Sequence, residues 1–289
     1  MRNDVSHTDS FTQDIRERVL FTCPSTRRPD NVEIMEEWCP GLLWIVKDEV
    51  DQRDYLAAGA GDVFKQVEIR DGPSGILAAR NTSLALARDE GLWCVQIDDD
   101  LQDIQYATGG DNIGTFPWSS KAEATERAAE TLYTAMMSAG AHYGSLASNP
   151  NRFFARRRVN TWAFCGTQWC MIDPSQPEWF SQTIDLREEW EMTLRHLTVY
   201  GVVARLDWIV PTVLHLTNPG GLVDTRTDER VSYCSKYLLH TYPDLVRRSS
   251  RKTRNYDLQL IHGIKNTLDR RAKEAYIRVN RDLGLEVEL

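Results

Sequence analysis

Three consecutive carboxylates, Asp98-Asp99-Asp100, follow the apolar run LWCVQI at residues 92–97. If that run is a strand, successive side chains alternate between its faces, so Asp98 and Asp100 point one way and Asp99 the other. Two carboxylates on one side suit a hard divalent cation, Mg2+ or Mn2+, which takes oxygen ligands and keeps positions open for phosphate oxygens. Without a cation or basic partners the three would repel, and at least one pKa would rise. The alternative is a solvated acidic turn. A second acidic pair, Glu188-Glu189, opens a helical stretch. Its two side chains lie about 100° apart around a helix, so only one can face a pocket. The turn GPSG at residues 72–75 has neither the lysine of a P-loop nor the spacing of a dinucleotide-binding loop. A phosphate ligand would therefore be held by a metal ion and basic side chains.

Strands and helices must alternate to carry these groups. Strands are expected at residues 18–26, 41–46, 62–69, 92–97, 143–147, 161–172 and 202–211. Helices are expected at 32–38, 52–60, 76–88, 121–139 and 186–199, with Ser119 or Ser120 capping the 121–139 helix. Residues 109–119 and 215–221 read as loops. From about residue 227 the chain reads as helical, with a basic interruption at 247–254 (RRSSRKTR). This alternation is that of βαβ units in an α/β protein, a Rossmann-like, mainly parallel sheet with helices on both faces. Ligands bind at the carboxyl ends of strands in such sheets, which is where the three aspartates fall.

At 289 residues, 42% hydrophobic and 26% charged, the composition excludes disordered, collagen-like and coiled-coil chains. No apolar run reaches the ~20 residues that cross a bilayer, and residues 1–14 lack the apolar centre of a signal peptide, so no membrane association and a cytoplasmic location are expected. Residues 1–15 are expected to be flexible. The six cysteines form no CxxC pair and read as reduced core thiols. The net charge of −8 argues against a uniformly basic nucleic-acid binder, yet residues 245–289 hold 11 Lys and Arg against 6 Asp and Glu.

Four segments, in order, resemble the nucleotide-sugar glycosyltransferases of the GT-A fold. CPSTRRP (residues 23–29) is similar to the nucleotide-holding loop after the first strand, ARNTSLALA (79–87) to the helix leading into the metal strand, and IDDDL (97–101) to the DxD metal motif. EEWEMTLRHLTVYG (188–201) is similar to the "ED…R…G" helix that carries the catalytic base of inverting members. The resemblance implies a GT-A domain over residues 16–225, followed by a helical, basic C-terminal extension at 226–289. It assigns the nucleotide sugar to Pro24, Ser25, Thr26, Arg28, Arg80, Asn81, Asp98 and Asp99. It assigns Mn2+ or Mg2+ to Asp98 and Asp100, with His215 in the region of a third ligand. It makes Glu189 the base by register with Arg195 and Gly201, with Glu188 as the other candidate. Glu189 stands where an Asp is usual, one methylene longer.

Within that family the RN and DDDL segments, followed by a Trp/Phe-rich middle, most resemble the phage-type TET-associated glycosyltransferases related to the base J glucosyltransferase. These act on hydroxymethylated pyrimidines in DNA. The expected donor is a UDP-sugar and the expected acceptor is such DNA, in the host cytoplasm for a phage enzyme. Phosphate contacts would come from Arg152, Arg156 and Arg157, interleaved with Phe153 and Phe154, and from Arg251, Lys252 and Arg254. Competing readings are a glycan, protein or small-molecule acceptor, a metal-dependent nuclease or phosphotransferase, and a non-catalytic nucleotide-binding module.

Overall fold

The computed structural model describes residues 14–67, 75–107, 113–115, 118–147, 155–177, 184, 186–213, 227–249, 258–285 and 287–288. Strand β1 (Val19–Pro24), α1 (Val32–Trp38), β2 (Leu43–Val46), α2 (Glu49–Ala57), β3 (Asp62–Lys65), α3 (Ile76–Asp89) and β4 (Trp93–Ile97) form the first half. Its four strands are parallel, in the order β3-β2-β1-β4. The chain then passes through β5 (Leu101–Ala107), β6 (Ile113–Thr115), α4 (Lys121–Ala139), β7 (Tyr143–Leu146), β8 (Val159–Asn160), β9 (Trp169–Ile172), α5 (Glu188–Val199), β10 (Ala204–Leu206) and β11 (Ile209–Val213). It ends in α6 (Asp228–Thr241), the antiparallel pair β12 (Val246–Arg248) and β13 (Leu258–Leu260), and α7 (Arg270–Asp282).

The main sheet has eight strands in the order β3-β2-β1-β4-β9-β7-β10-β8, with β9 and β8 antiparallel to the rest. This is an α/β fold with a large, mostly parallel central sheet flanked by helices. Strand alternation divides the core into two layers. Val19, Phe21, Cys23, Val95 and Ile97 face α1 and α4. Cys94, Cys170 and Ile172 face α3 and α5. All six cysteines are buried and unbridged. Among the described residues no helix is long and apolar enough to cross a membrane.

Helix ends follow local chemistry. Ser120 caps α4, its hydroxyl accepting from the Glu123 amide at 3.1 Å, while Glu123 accepts in return from the Ser119 amide and hydroxyl. Asp48 caps α2, which therefore begins three residues before the expected 52–60 span. Gly201, at φ +71°, ends α5 in the left-handed conformation that glycine adopts without penalty.

Two of the expected strands differ. Residues 161–172 narrow to β9. The 202–211 run breaks into β10 and β11, which belong to different sheets; β11, β5 and β6 form a second, antiparallel sheet of three strands. Buried Asp207 fixes the break, accepting from Arg158 Nε at 2.9 Å and Arg205 Nε at 2.6 Å. Strand β5 is one that the sequence did not announce. The basic interruption contributes β12, and Arg251, Lys252 and Arg254 lie outside the described residues. Helix α7 is integral to the core: Asn280 bonds both backbone groups of Val159, and Thr161 Oγ1 donates to Ala272 O at 2.7 Å.

Candidate functional site

Strand order reverses between β1 and β4, since β2 lies on the other side of β1. A crevice at the carboxyl ends of two such strands is where open α/β sheets bind ligands. The loop after β1 and the turn after β4 meet there. Asp98–Asp100 form a turn linking β4 of the main sheet to β5 of the small one, with the Asp98 amide donating to Gln168 O at 3.0 Å.

The first two carboxylates have different partners. Asp99 is buried; its Oδ1 accepts from Arg28 Nη1 at 2.7 Å and its Oδ2 from Ser25 Oγ. Ser25 Oγ also bonds the Tyr55 hydroxyl, which accepts from the Arg28 amide at 3.1 Å. Asp51, in the first turn of α2, accepts from Thr26 Oγ1 at 2.6 Å and the Arg27 amide at 3.2 Å. Helix α2 thus holds the loop after β1, in which Arg27 adopts φ +56°. Pro24 is buried at the end of β1. Burial pushes the Asp99 carboxyl up, against the pull of Arg28 and Ser25.

Asp98 lies on the α3 side. Gln96 and Asp98 share a strand face, and both meet Arg80: Nη1 donates to Gln96 Oε1 at 3.2 Å and Nη2 to Asp98 Oδ1 at 3.0 Å. Arg80 is 3% exposed, in the protein interior. Its Nε lies 3.5 Å from Glu188 Oε1, so the first turn of α5 abuts the end of β4. Asn81, one residue on, is half-buried.

Asp100 is half-buried, and no Arg or Lys among the described residues forms an ion pair with it. Desolvation, then the charges of Asp98 and Asp99, push its carboxyl up to about 7. Of the glutamates, Glu188 is buried and its pKa lies well above the ordinary carboxylate range, because of desolvation and then the charge of Glu189. Glu189 is half-buried, and among the described residues its carboxylate forms no ion pair. Arg195 pairs with Glu191 at 2.9 Å within α5.

The structure thus gathers Ser25, Thr26, Arg28, Arg80, Asp98, Asp99, Asp100 and Glu188 at one end of the sheet. Sequence reasoning missed Gln96, Tyr55 and Asp51. A polar Gln96 inside LWCVQI, two residues before Asp98, was a readable signal; nothing in the sequence marked Tyr55 or Asp51 as partners of the loop. His215 and Arg152 lie outside the described residues. Arg156 and Arg157 are exposed, Arg156 lying 3.6 Å from Glu288.

The donors suit a hard cation only in part. Asp98 and Asp100 offer carboxylate oxygens, and the uncompensated, up-shifted Asp100 is the group a cation would relieve. Among the described residues, however, no three His, Cys, Asp or Glu side chains converge to hold an ion. Such a pair fits Mg2+ or Mn2+ bound by one or two carboxylates together with ligand phosphates.

No protein-family model matches the chain, and no curated protein matches it.

Proposed function

We propose that the chain is a metal-dependent glycosyltransferase of the GT-A type, moving a sugar from a nucleotide-sugar donor to a hydroxyl group, with a hydroxymethylated pyrimidine in DNA as acceptor. One observation carries the reading: an acidic turn at the strand-order reversal whose first two carboxylates are engaged by arginines while the third stays open and crowded. Asp100 and the remaining oxygen of Asp98 would hold Mn2+ or Mg2+. When bound, the ion supplies Lewis-acid stabilisation of the charge that develops on the leaving diphosphate. The Ser25–Arg28 loop, held by Asp51, Tyr55 and Asp99, would border the nucleotide of a UDP-sugar.

Deprotonation of the acceptor falls to Glu189. Its carboxylate has no ion-pair partner among the described residues, whereas Glu188 faces Arg80. A positioned carboxylate base contributes about 10²–10⁴-fold. The described residues favour one ion over the pair that a nuclease would use, because both oxygens of Asp99 are taken by Ser25 and Arg28.

The test is transfer itself. Purified protein, Mn2+ or Mg2+, a panel of nucleotide sugars, and DNA with ordinary or hydroxymethylated pyrimidines are incubated, and the nucleosides are weighed by mass spectrometry. A sugar-sized mass gain confined to the hydroxymethylated base is expected. Metal-dependent donor hydrolysis without a gain on DNA would keep the chemistry and move the acceptor to a glycan, protein or small molecule. Neither transfer nor hydrolysis would leave a binding module, and DNA cleavage without donor a nuclease.

A further inference from the structure

We infer that Arg80 is a positioning residue, a buried tie between the metal-side carboxylate Asp98 and the acidic first turn of α5, and that it does not touch the nucleotide. The role rests on the glycosyltransferase reading of the crevice. The tie itself rests on geometry alone.

An arginine that binds a diphosphate must present its guanidinium to the ligand, and Arg80 is 3% exposed. Its two Nη groups already donate to protein acceptors, Gln96 Oε1 at 3.2 Å on β4 and Asp98 Oδ1 at 3.0 Å just after it, while Nε lies at ion-pair distance, 3.5 Å, from Glu188 Oε1 on α5 without a hydrogen bond to it. Gln96 returns a bond from Nε2 to the Arg80 carbonyl at 2.9 Å, which fixes α3 against β4 in one register. The planar guanidinium fork makes these contacts simultaneously; an ammonium on a flexible stem is a single point charge and cannot span them. Two consequences follow. Asp98 keeps one oxygen on Arg80, which would leave the other for the cation. Glu188, whose burial would otherwise be uncompensated, anchors α5 and so sets where Glu189 stands.

Two measurements test this. In the first, Arg80→Lys retains the charge and loses the fork. The nucleoside diphosphate dissociation constant, read by calorimetry with Mn2+, should stay within threefold of wild type, while kcat for donor hydrolysis falls at least tenfold. A nucleotide contact would give the reverse, a dissociation constant raised tenfold with kcat retained, and would overturn the proposal. In the second, the melting temperatures of Arg80→Met, Glu188→Gln and the double variant form a cycle. The double variant should lose clearly less than the sum of the single losses, because the two side chains share one contact that either substitution removes. Additive losses would sink the tie. Should Arg80→Met fail to fold, Arg80→Gln takes its place in the cycle. If the wild-type protein hydrolyses no donor, the functional reading fails, and the cycle still decides whether the tie exists.

Discussion

Arg28 and Arg80 each engage one member of the acidic turn, so the charge left over is concentrated on Asp100, where burial and two anionic neighbours hold the carboxyl near 7. Removing a charge kept in so unfavourable a setting should cost little stability. Asp100→Asn keeps the volume and removes the charge. Metal-dependent donor hydrolysis should fall at least ~10²-fold, the scale of losing one electrostatic contact to a transition state. The melting temperature of the metal-free variant should hold or rise, each ~1 kcal/mol appearing as roughly 2–4 °C in a chain of this size. Melting curves recorded beside the hydrolysis assay decide this; a marked loss of melting temperature would instead make Asp100 a structural residue. At this scale the aspartates were legible because three like charges at a strand end demand an explanation. Their partners were not, because Arg80 reads as a polar helix position until strand register shows Gln96 and Asp98 facing it.

Elements with strong local determinants were legible nearly to the residue. Helix α4 spans its expected 121–139 because a serine cap with a returning glutamate starts it and Gly140, at φ +68°, stops it. Helices α1 and α3 and strands β1, β2 and β4 lie within two residues of their expected limits, carried by periodicity and apolar runs. Tertiary context decided the rest. Strand β5, LQDIQYA, is too polar to announce itself and forms by pairing with β11; the 202–211 run is broken by the ion pairs of Asp207. The acidic start of α5 could have been a solvated face, but Glu188 and Glu191 are buried. On the same helix His196 packs against Tyr143 and Tyr200, its Nδ1 donating to Met192 O at 2.9 Å in the neutral form, and burial lowers its pKa to about 4. The unfolded chain therefore takes up a proton near pH 6.5 that the folded chain refuses until about 4. His196 thus supplies stability that is complete above about pH 6.5 and is lost as the pH falls towards 4, at up to about 1.4 kcal/mol per pH unit. Urea unfolding from pH 7 to 4.5 should show this slope, and His196→Gln should flatten it. An unchanged slope would assign the acid sensitivity to other groups.

Across the whole molecule, a chain of net charge −8 meets a polyanionic acceptor only through a local surface of opposite sign. The sheet register brings two exposed arginines to the end of the sheet that carries the acidic turn. Val159 of β8 pairs with Leu206 of β10, which pairs with Leu146 of β7, and both partners close the carboxyl ends of their strands. The chain entering β8 therefore carries exposed Arg156 and Arg157 on the end of the sheet where Asp98–Asp100 lie. Asn280 of α7 pins that corner through its bonds to Val159, at 2.8 and 2.9 Å. Phosphate contacts release counterions, so each contributes about one unit to the slope of log affinity against log salt. Affinity for hydroxymethylated DNA should fall steeply between 50 and 200 mM salt, as titrations of this kind resolve. The Arg156→Ala/Arg157→Ala double variant should lower the slope by about 1–2 and leave the melting temperature within about 2 °C of wild type, because neither side chain is in the core. Fluorescence anisotropy at four salt concentrations reads the slope directly. A slope unchanged in the variant would remove this corner from the acceptor path, and the absence of any salt dependence would remove DNA from it.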